Sequence, residues 1–222
     1  MQKKAAHAPT RGADAKEKVI LAGEELFGLH GVEGVSLRRI GSQAEQRNFA
    51  VVQYHFGDKD TLLRAIVEYR RTRIDLRRRR LFENWQTTPK NSDLFQILFS
   101  IVCPIFEVRS ESGTYTFARF LNAVLSSPLF GPSWLSNTPL GEFTDEILIN
   151  LRRLCDEPSD EKWSTRLRLL TRFIAAGAVD PYVENAGSNG FKYIVEELVR
   201  DSAAIILARS FIGDRVSGLW MD

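Results

Sequence analysis

From Asp14 to His30 the chain places Val19, Ala22, Gly23, Leu26 and Phe27 at i, i+3, i+4, i+7 and i+8, with Lys16, Lys18, Glu24 and Glu25 off that face. Apolar positions recurring with the helical period predict an amphipathic helix whose acidic pair Glu24-Glu25 lies on a solvated side. Gly31 is a natural stop, and Gly34 gives the connection a second flexible point. Ser36 then stands where an N-cap belongs, its hydroxyl able to accept from a backbone N–H one turn on. Leu37, Ile40 and Ala44 repeat at i, i+3 and i+7, which packs a short second helix on the first and leaves Arg38 and Arg39 pointing elsewhere. After a polar turn, Asn48 is a reasonable N-cap for a third helix. Val52 and Phe56 are one turn apart on it and face the core, leaving Val51, Gln53, Tyr54 and His55 on the other side. Asp58 caps a fourth pattern with Asp60 in its first turn and Leu62, Leu63, Ile66 and Val67 inward. This pattern continues through Ile74, Leu76, Leu81 and Phe82 as far as Trp85.

Beyond a linker at Gln86–Asn91 the periodicity stays helical. Leu94–Val108 is rich in Phe and Ile, and Pro104 is expected to kink or end it. Further helices are predicted over Gly113–Ser126, Phe143–Leu154 and Lys162–Val179, with a Pro-containing loop over Ser127–Pro139. Asp180-Pro181 and a Gly187–Gly190 loop precede a last helix that carries Phe191, Ile194, Val195, Leu198, Ser202, Ile205 and Ile206 on one stripe. No strand of useful length, repeat or low-complexity tract is visible. The predicted class is all-α: a flexible arm over 1–13, a three-helix head over 14–57, a connecting helix and linker over 58–90, and a helical bundle over 91–222.

Charge sharpens this division. Of the 222 residues, the first 90 hold 18 Lys and Arg against 11 Asp and Glu, a formal +7, while the remainder holds 12 against 17, a formal −5. A basic front and an acidic back predict that only the front meets a polyanion. The arginines between Arg70 and Arg80 fit that role poorly. At about 1.5 Å per helical residue, Arg77 lies roughly 27 Å along the helix from Lys59, so a solvated or interdomain face is expected there. Cys103 and Cys155 are isolated, which fits a reducing cytoplasm and no disulfide framework. No apolar run approaches a membrane span and no secretory signal follows Lys3 and Lys4.

The stretch Ser36–Leu63 resembles the helix-turn-helix of the TetR family of bacterial transcriptional repressors. Ile40 and Ala44 on the first helix, Tyr54-His55-Phe56 closing the second, and Gly57, Lys59 and Leu62 opening the next carry the likeness, set about 30 residues after an amphipathic first helix. The commonest family form has Gly after the residue matching Ala44; this chain has Glu45, and Ala44–Tyr54 is one residue longer. The resemblance implies an operator-binding homodimer. A major groove about 12 Å wide admits one helix, whose exposed side chains then meet base edges. Arg47 suits a bidentate contact to guanine, Gln53 or Asn48 to adenine, and Val51 a thymine methyl. Phe49 either packs inward or wedges against the DNA. By the family match Tyr54 and His55 hold phosphates. Ser36, Arg38 and Lys59 sit at helix N-termini, where backbone N–H groups already favour phosphate.

For the bundle the resemblance implies a ligand cavity and dimerisation through the last two helices, where Ala175–Ala178 would allow close approach. Candidate wall residues are Phe95, Phe99, Cys103, Phe106, Phe117, Phe120, Asn122, Val124, Trp134, Ile147 and Phe173, predicting a small apolar or amphipathic effector. The histidines His7, His30 and His55 lack partners at ligand spacing, so no metal is expected. No nucleophile–base set suggests an enzyme, and no cofactor is implied. The expected function is a cytoplasmic, ligand-released repressor of operator DNA. The competing expectation is a helical ligand or lipid carrier that binds no DNA.

Overall fold

The computed structural model describes residues 11–45, 49–86, 94–110, 113–131, 134, 138–139, 141–155, 159–179 and 187–212. Among them run α1 (Arg11–His30), α2 (Leu37–Gln43), α3 (Phe49–Phe56), α4 (Lys59–Gln86), α5 (Leu94–Phe106), α6 (Thr116–Ser126), α7 (Glu142–Leu154), α8 (Asp160–Ala176) with a 3-10 turn at Gly177–Val179, and α9 (Gly187–Ile212). No strand occurs among the described residues, so the predicted all-α class holds. Several boundaries differ from expectation: α5 ends at Phe106 rather than Val108, α6 begins at Thr116 rather than Gly113, and α8 begins at Asp160 rather than Lys162. α1 begins at Arg11, inside the expected arm, and α9 begins at Gly187, where a loop was expected. Phe191 and Val195 anchor the following turns of α9, so packing overrides the poor helical propensity of the glycines there.

The head is held by Phe27, Ile40, Val52, Phe56, Leu62, Leu63 and Ile66, all buried. The Ser36 hydroxyl accepts from the Arg39 N–H at 3.2 Å, the cap the sequence predicted. Gly41 is where α2 crosses α3: a Cβ there would come within 2.9 Å of Val52 Cγ2. The turn after α2 carries a strained residue. Ala44 caps the helix and Glu45, at φ 56°, takes the left-handed conformation that closes it. A β-carbon costs about 1–2 kcal/mol in that region, which glycine avoids. The Glu45 side chain gains only an exposed pairing with Lys18 at 3.6 Å. Glu45→Gly is therefore expected to raise the unfolding free energy by about 0.5–1 kcal/mol, after allowing for the greater unfolded-chain freedom of glycine. Urea denaturation checks this; a loss of stability would mean the Glu45 side chain matters more than its backbone.

α4 ties head to body. Toward the head, Arg70 Nε and Nη2 donate to the two Glu24 oxygens at 2.6 and 3.0 Å. Glu24 is 1% exposed, not on a solvated face as its sequence position suggested. The α1 helix is wide enough in its buried arc to include Glu24 because α1 meets α6 as well as α4. Gly28 of α1 lies so close to α6 that an added Cβ would sit 3.1 Å from the Phe120 nitrogen. Further along α4, Asp75 caps a helix of the body. Its carboxylate accepts from the Thr144 N–H at 2.8 Å and the Phe143 N–H at 3.3 Å, free donors in the first turn of α7. Gly141, at φ 118°, makes room: a Cβ would fall 2.5 Å from the Asp75 carboxylate carbon.

Part of the arginine run on this helix is taken up by contacts to other helices, while Arg71 pairs with Glu68 of α4 itself and Arg73 and Arg80 are exposed. Arg77 makes a bidentate pair with Glu107 after α5, Arg79 lies 5.7 Å from the Phe143 ring centroid, and Arg78 is buried. The interdomain reading of Arg70–Arg80 therefore fits, and the solvated one fits only its exposed members.

Candidate nucleic-acid interface and ligand cavity

α2 and α3 present a short polar surface. Arg38 lies on α2, and its side chain is partly open to water. Its neighbour Arg39 reaches back to the last turn of α1, with Nη2 2.7 Å from His30 Nε2. A guanidinium only donates, so His30 Nε2 is the acceptor in this contact. On α3, Tyr54 is 85% exposed, an uncommon fate for a large aromatic. His55 is half-buried and lies edge-on to Tyr54, centroid to centroid 5.3 Å, and 6.1 Å from the Phe56 ring. Gln53 is exposed, and its Nε2 donates to the Gly57 carbonyl at 2.8 Å, closing the C-terminus of α3. Arg47 and Asn48 lie outside the described residues. Phe49 and Val51 are in α3 by backbone, and their side chains are outside the described set.

Lys59 has a second occupation that its position in the sequence did not reveal. Its ammonium donates to the carbonyls of Val32 at 2.9 Å and Glu33 at 3.3 Å, in the turn between α1 and α2. Two of its three donors are thereby used in holding the head together. The same corner is bound to the body. The Ser127 hydroxyl, just past α6, donates to Glu33. The Trp134 indole N–H donates to Asp60, and Arg64 lies over that indole at 5.1 Å. Asp60 is held below its ordinary carboxylate value of 3.8, chiefly by the Arg64 hydrogen bond; burial opposes this, and the Trp134 hydrogen bond adds a smaller lowering.

The body contains a cavity of about 600 Å³, lined by α4 to α8 and partly open to solvent. Of the expected wall residues only Phe117 lines it. Phe106, Phe120, Val124 and Ile147 are buried in the core and do not line it. Phe99 is half-buried and, with the 56%-exposed Phe95, borders a surface groove against α9 instead. Asn122 and Phe173 are half-buried away from the cavity, and Trp134 serves Asp60. Cys103 is buried, with its thiol against Glu107 at 3.4 Å, and burial first, then Glu107, pushes it up to about 12. Such a thiol is inert.

Arginines are what the aromatic inventory missed. Arg71, Arg78 and Arg168 line the cavity with Ile74, Ile101, Leu121 and Ile174. The signal was present in spacing: Val67, Arg71, Ile74 and Arg78 fall at i, i+4, i+7 and i+11 of α4, one face of a helix with arginines between aliphatics.

The last two helices are also used differently from expectation. Ala175 is buried within the protomer, and a Cβ on Gly177 would lie 2.8 Å from Leu198, so the small residues let α8 approach α9 of the same chain. Val195, Leu198, Ser202 and Ile206 are likewise buried inside the protomer. Leu169 of α8 and Tyr193 of α9 are 56% and 64% exposed.

No protein-family model matches this chain, and neither does any curated protein sequence. Solved structures do. A TetR-family transcriptional regulator from Streptomyces coelicolor aligns over 93% of this chain and 86% of its own, at a TM-score of 0.50 and 14% identity. A single-residue variant of TetR from Acinetobacter baumannii AYE, solved in complex with minocycline, aligns over 92% and 98% at 14% identity, but its TM-score of 0.48 is too low to add to the first. The chain thus has the fold of a TetR-family regulator over nearly all its length, as Ser36–Leu63 led us to expect.

Proposed function

We propose that this chain is a transcriptional repressor that binds operator DNA as a homodimer in the cytoplasm and is released by a small molecule entering the body cavity. The observation that carries this is Tyr54, 85% exposed beside the exposed Gln53 at the end of α3, on a head of TetR-family fold. An aromatic hydroxyl held in water at the end of a reading helix supplies a phosphate contact, and Arg38 on α2 supplies another. Arg47, Asn48, Val51 and Gln53 are the proposed base-reading side chains, and Ser36, Arg38, Tyr54, His55 and Lys59 the proposed phosphate-side group. The proposed dimer joins α8 and α9 of two copies through the exposed Leu169 and Tyr193. Two heads so joined must stand about 34–36 Å apart, one DNA turn, to reach two half-sites.

A gel shift with DNA from upstream of the chain's own gene tests the reading. Retardation is expected, and Arg38→Ala is expected to weaken binding to every sequence while lowering the salt slope by about one unit. Lys59→Ala is expected to lower unfolding stability as well as DNA affinity, because it also releases the Val32 and Glu33 carbonyls. Absence of retardation on any duplex at low salt would favour the helical carrier. For the dimer, sedimentation is expected to find two chains in the parent and one in Tyr193→Glu. A parent that stays monomeric at micromolar concentration overturns the assembly.

A further inference from the structure

We propose that the molecule received by the body cavity is an amphipathic anion: a carboxylate carried on an apolar body. This rests on the cavity being the effector site and goes beyond it in naming the ligand's charge. Ile74, Ile101, Phe117 and Leu121 give an apolar wall, which by itself would suit any greasy compound. The charged lining decides the class. Among the described lining residues Arg71, Arg78 and Arg168 stand against one carboxylate, Asp145.

Arg71 is already paired with Glu68, at 2.6 and 2.7 Å. Arg78 and Arg168 have no carboxylate in ion-pair range among the described residues. Arg78 is 6% exposed and gives Nε to the Ser100 carbonyl at 3.3 Å, Nη1 to the Thr144 hydroxyl at 2.8 Å and Nη2 to the Ile101 carbonyl at 3.1 Å. These neutral partners take three of its five N–H groups and leave one on each terminal nitrogen. The nearest compensating charge, Asp75, is one hydroxyl away, since Thr144 Oγ1 donates to it at 2.7 Å. Burial holds the Arg78 guanidinium down at about 10, the mark of a cation kept short of counter-charge. Arg168 is partly open to water and donates to the Thr165 hydroxyl at 2.7 Å. A planar carboxylate matches a guanidinium fork and supplies the charge both arginines lack.

The test is calorimetric titration of the full chain with decanoate, decanamide and decylamine, repeated on Arg168→Gln and on Leu148→Trp. Arg168 and Leu148 both lie outside the fully buried core, so both variants are expected to fold, which their melting curves check. Decanoate is expected to bind at least about tenfold more tightly than decanamide, the worth of one charge-assisted hydrogen bond, and decylamine not at all. Arg168→Gln is expected to weaken decanoate several-fold and leave decanamide unmoved, and Leu148→Trp, which partly fills the cavity, to weaken both. Equal affinity for decanoate and decanamide overturns the anion class while leaving the cavity as an effector site. Binding of decanoate that survives Leu148→Trp unchanged overturns the location. Failure of all three ligands to bind overturns the proposal and the effector reading with it. DNA retardation by the unliganded chain is scored separately and stands or falls independently.

Discussion

Glu24→Ala is expected to cost the fold about 3–5 kcal/mol, read as a shift in the urea unfolding curve. The replaced carboxylate is 1% exposed and accepts two bonds from Arg70, itself 12% exposed at the side chain. Truncation leaves the guanidinium buried with no counter-charge, and desolvation that two partners formerly offset then falls on one. The geometry separates this pair from the others on α4. Arg71–Glu68 and Arg64–Asp60 are exposed and spaced three and four residues apart, so breaking either is expected to cost about 0.5 kcal/mol. Replacing both buried partners with apolar residues, as in Glu24→Leu with Arg70→Met, is expected to recover most of the loss, since the penalty lies in the orphaned charge. A cost of Glu24→Ala near that of the exposed pairs would show that water reaches Arg70 and that α1 is held to α4 by its apolar face alone. Under the proposed function, DNA affinity is expected to fall with stability, because α1 is the platform on which α2 and α3 rest.

The head was legible in the sequence because its helices are short, amphipathic and punctuated. Val19, Leu26 and Phe27, Ile40, and Val52 with Phe56 are buried as their spacing required, and Ser36 caps as its type required. The body was legible as helices but not as a site. Phe106 and Phe120 carry the same apolar signal as Phe117, and only the packing of five helices decides that the first two fill the core while the third faces a void. Periodicity gives a face, not what stands opposite it. Charged residues misled for a related reason. Glu24 sits beside Glu25 and reads as solvated, yet the approach of α4 brings Arg70 to it from 46 positions away. Lys59 reads as a cation beside a helix start, and the turn carbonyls of Val32 and Glu33, 27 and 26 positions back, claim it. Each of these is a long-range contact between polar groups, for which a local pattern holds no trace.

Arg78→Met is expected to cost about 3–4 kcal/mol, and Pro104→Ala to make that cost smaller. The two positions are joined through an orphaned carbonyl. Pro104 lies inside α5 and has no N–H, so the Ser100 carbonyl four residues earlier loses its helical donor. Arg78 supplies one from α4: its Nε points at the Ser100 carbonyl and its Nη2 at the Ile101 carbonyl in the same turn. This is why Arg78 is buried on the face of α4 it shares with Val67 and Ile74, and why α5 continues to Phe106 past a residue expected to kink or end it. Methionine keeps the volume and removes the donors: the Ser100 carbonyl is left with none, at about 1–3 kcal/mol, while the Ile101 carbonyl and the Thr144 hydroxyl, which keep the Ile105 N–H and Asp75, each lose a second bond worth about 1 kcal/mol. In the Pro104→Ala background the Ala N–H returns to the Ser100 carbonyl, and one of those penalties disappears. The double-mutant cycle is therefore expected to show a coupling of about 1 kcal/mol, measured by urea denaturation of the four chains. Equal costs of Arg78→Met in both backgrounds would mean that Arg78 does not stand in for the missing amide, and that its buried charge is held for Thr144 and Asp75 alone.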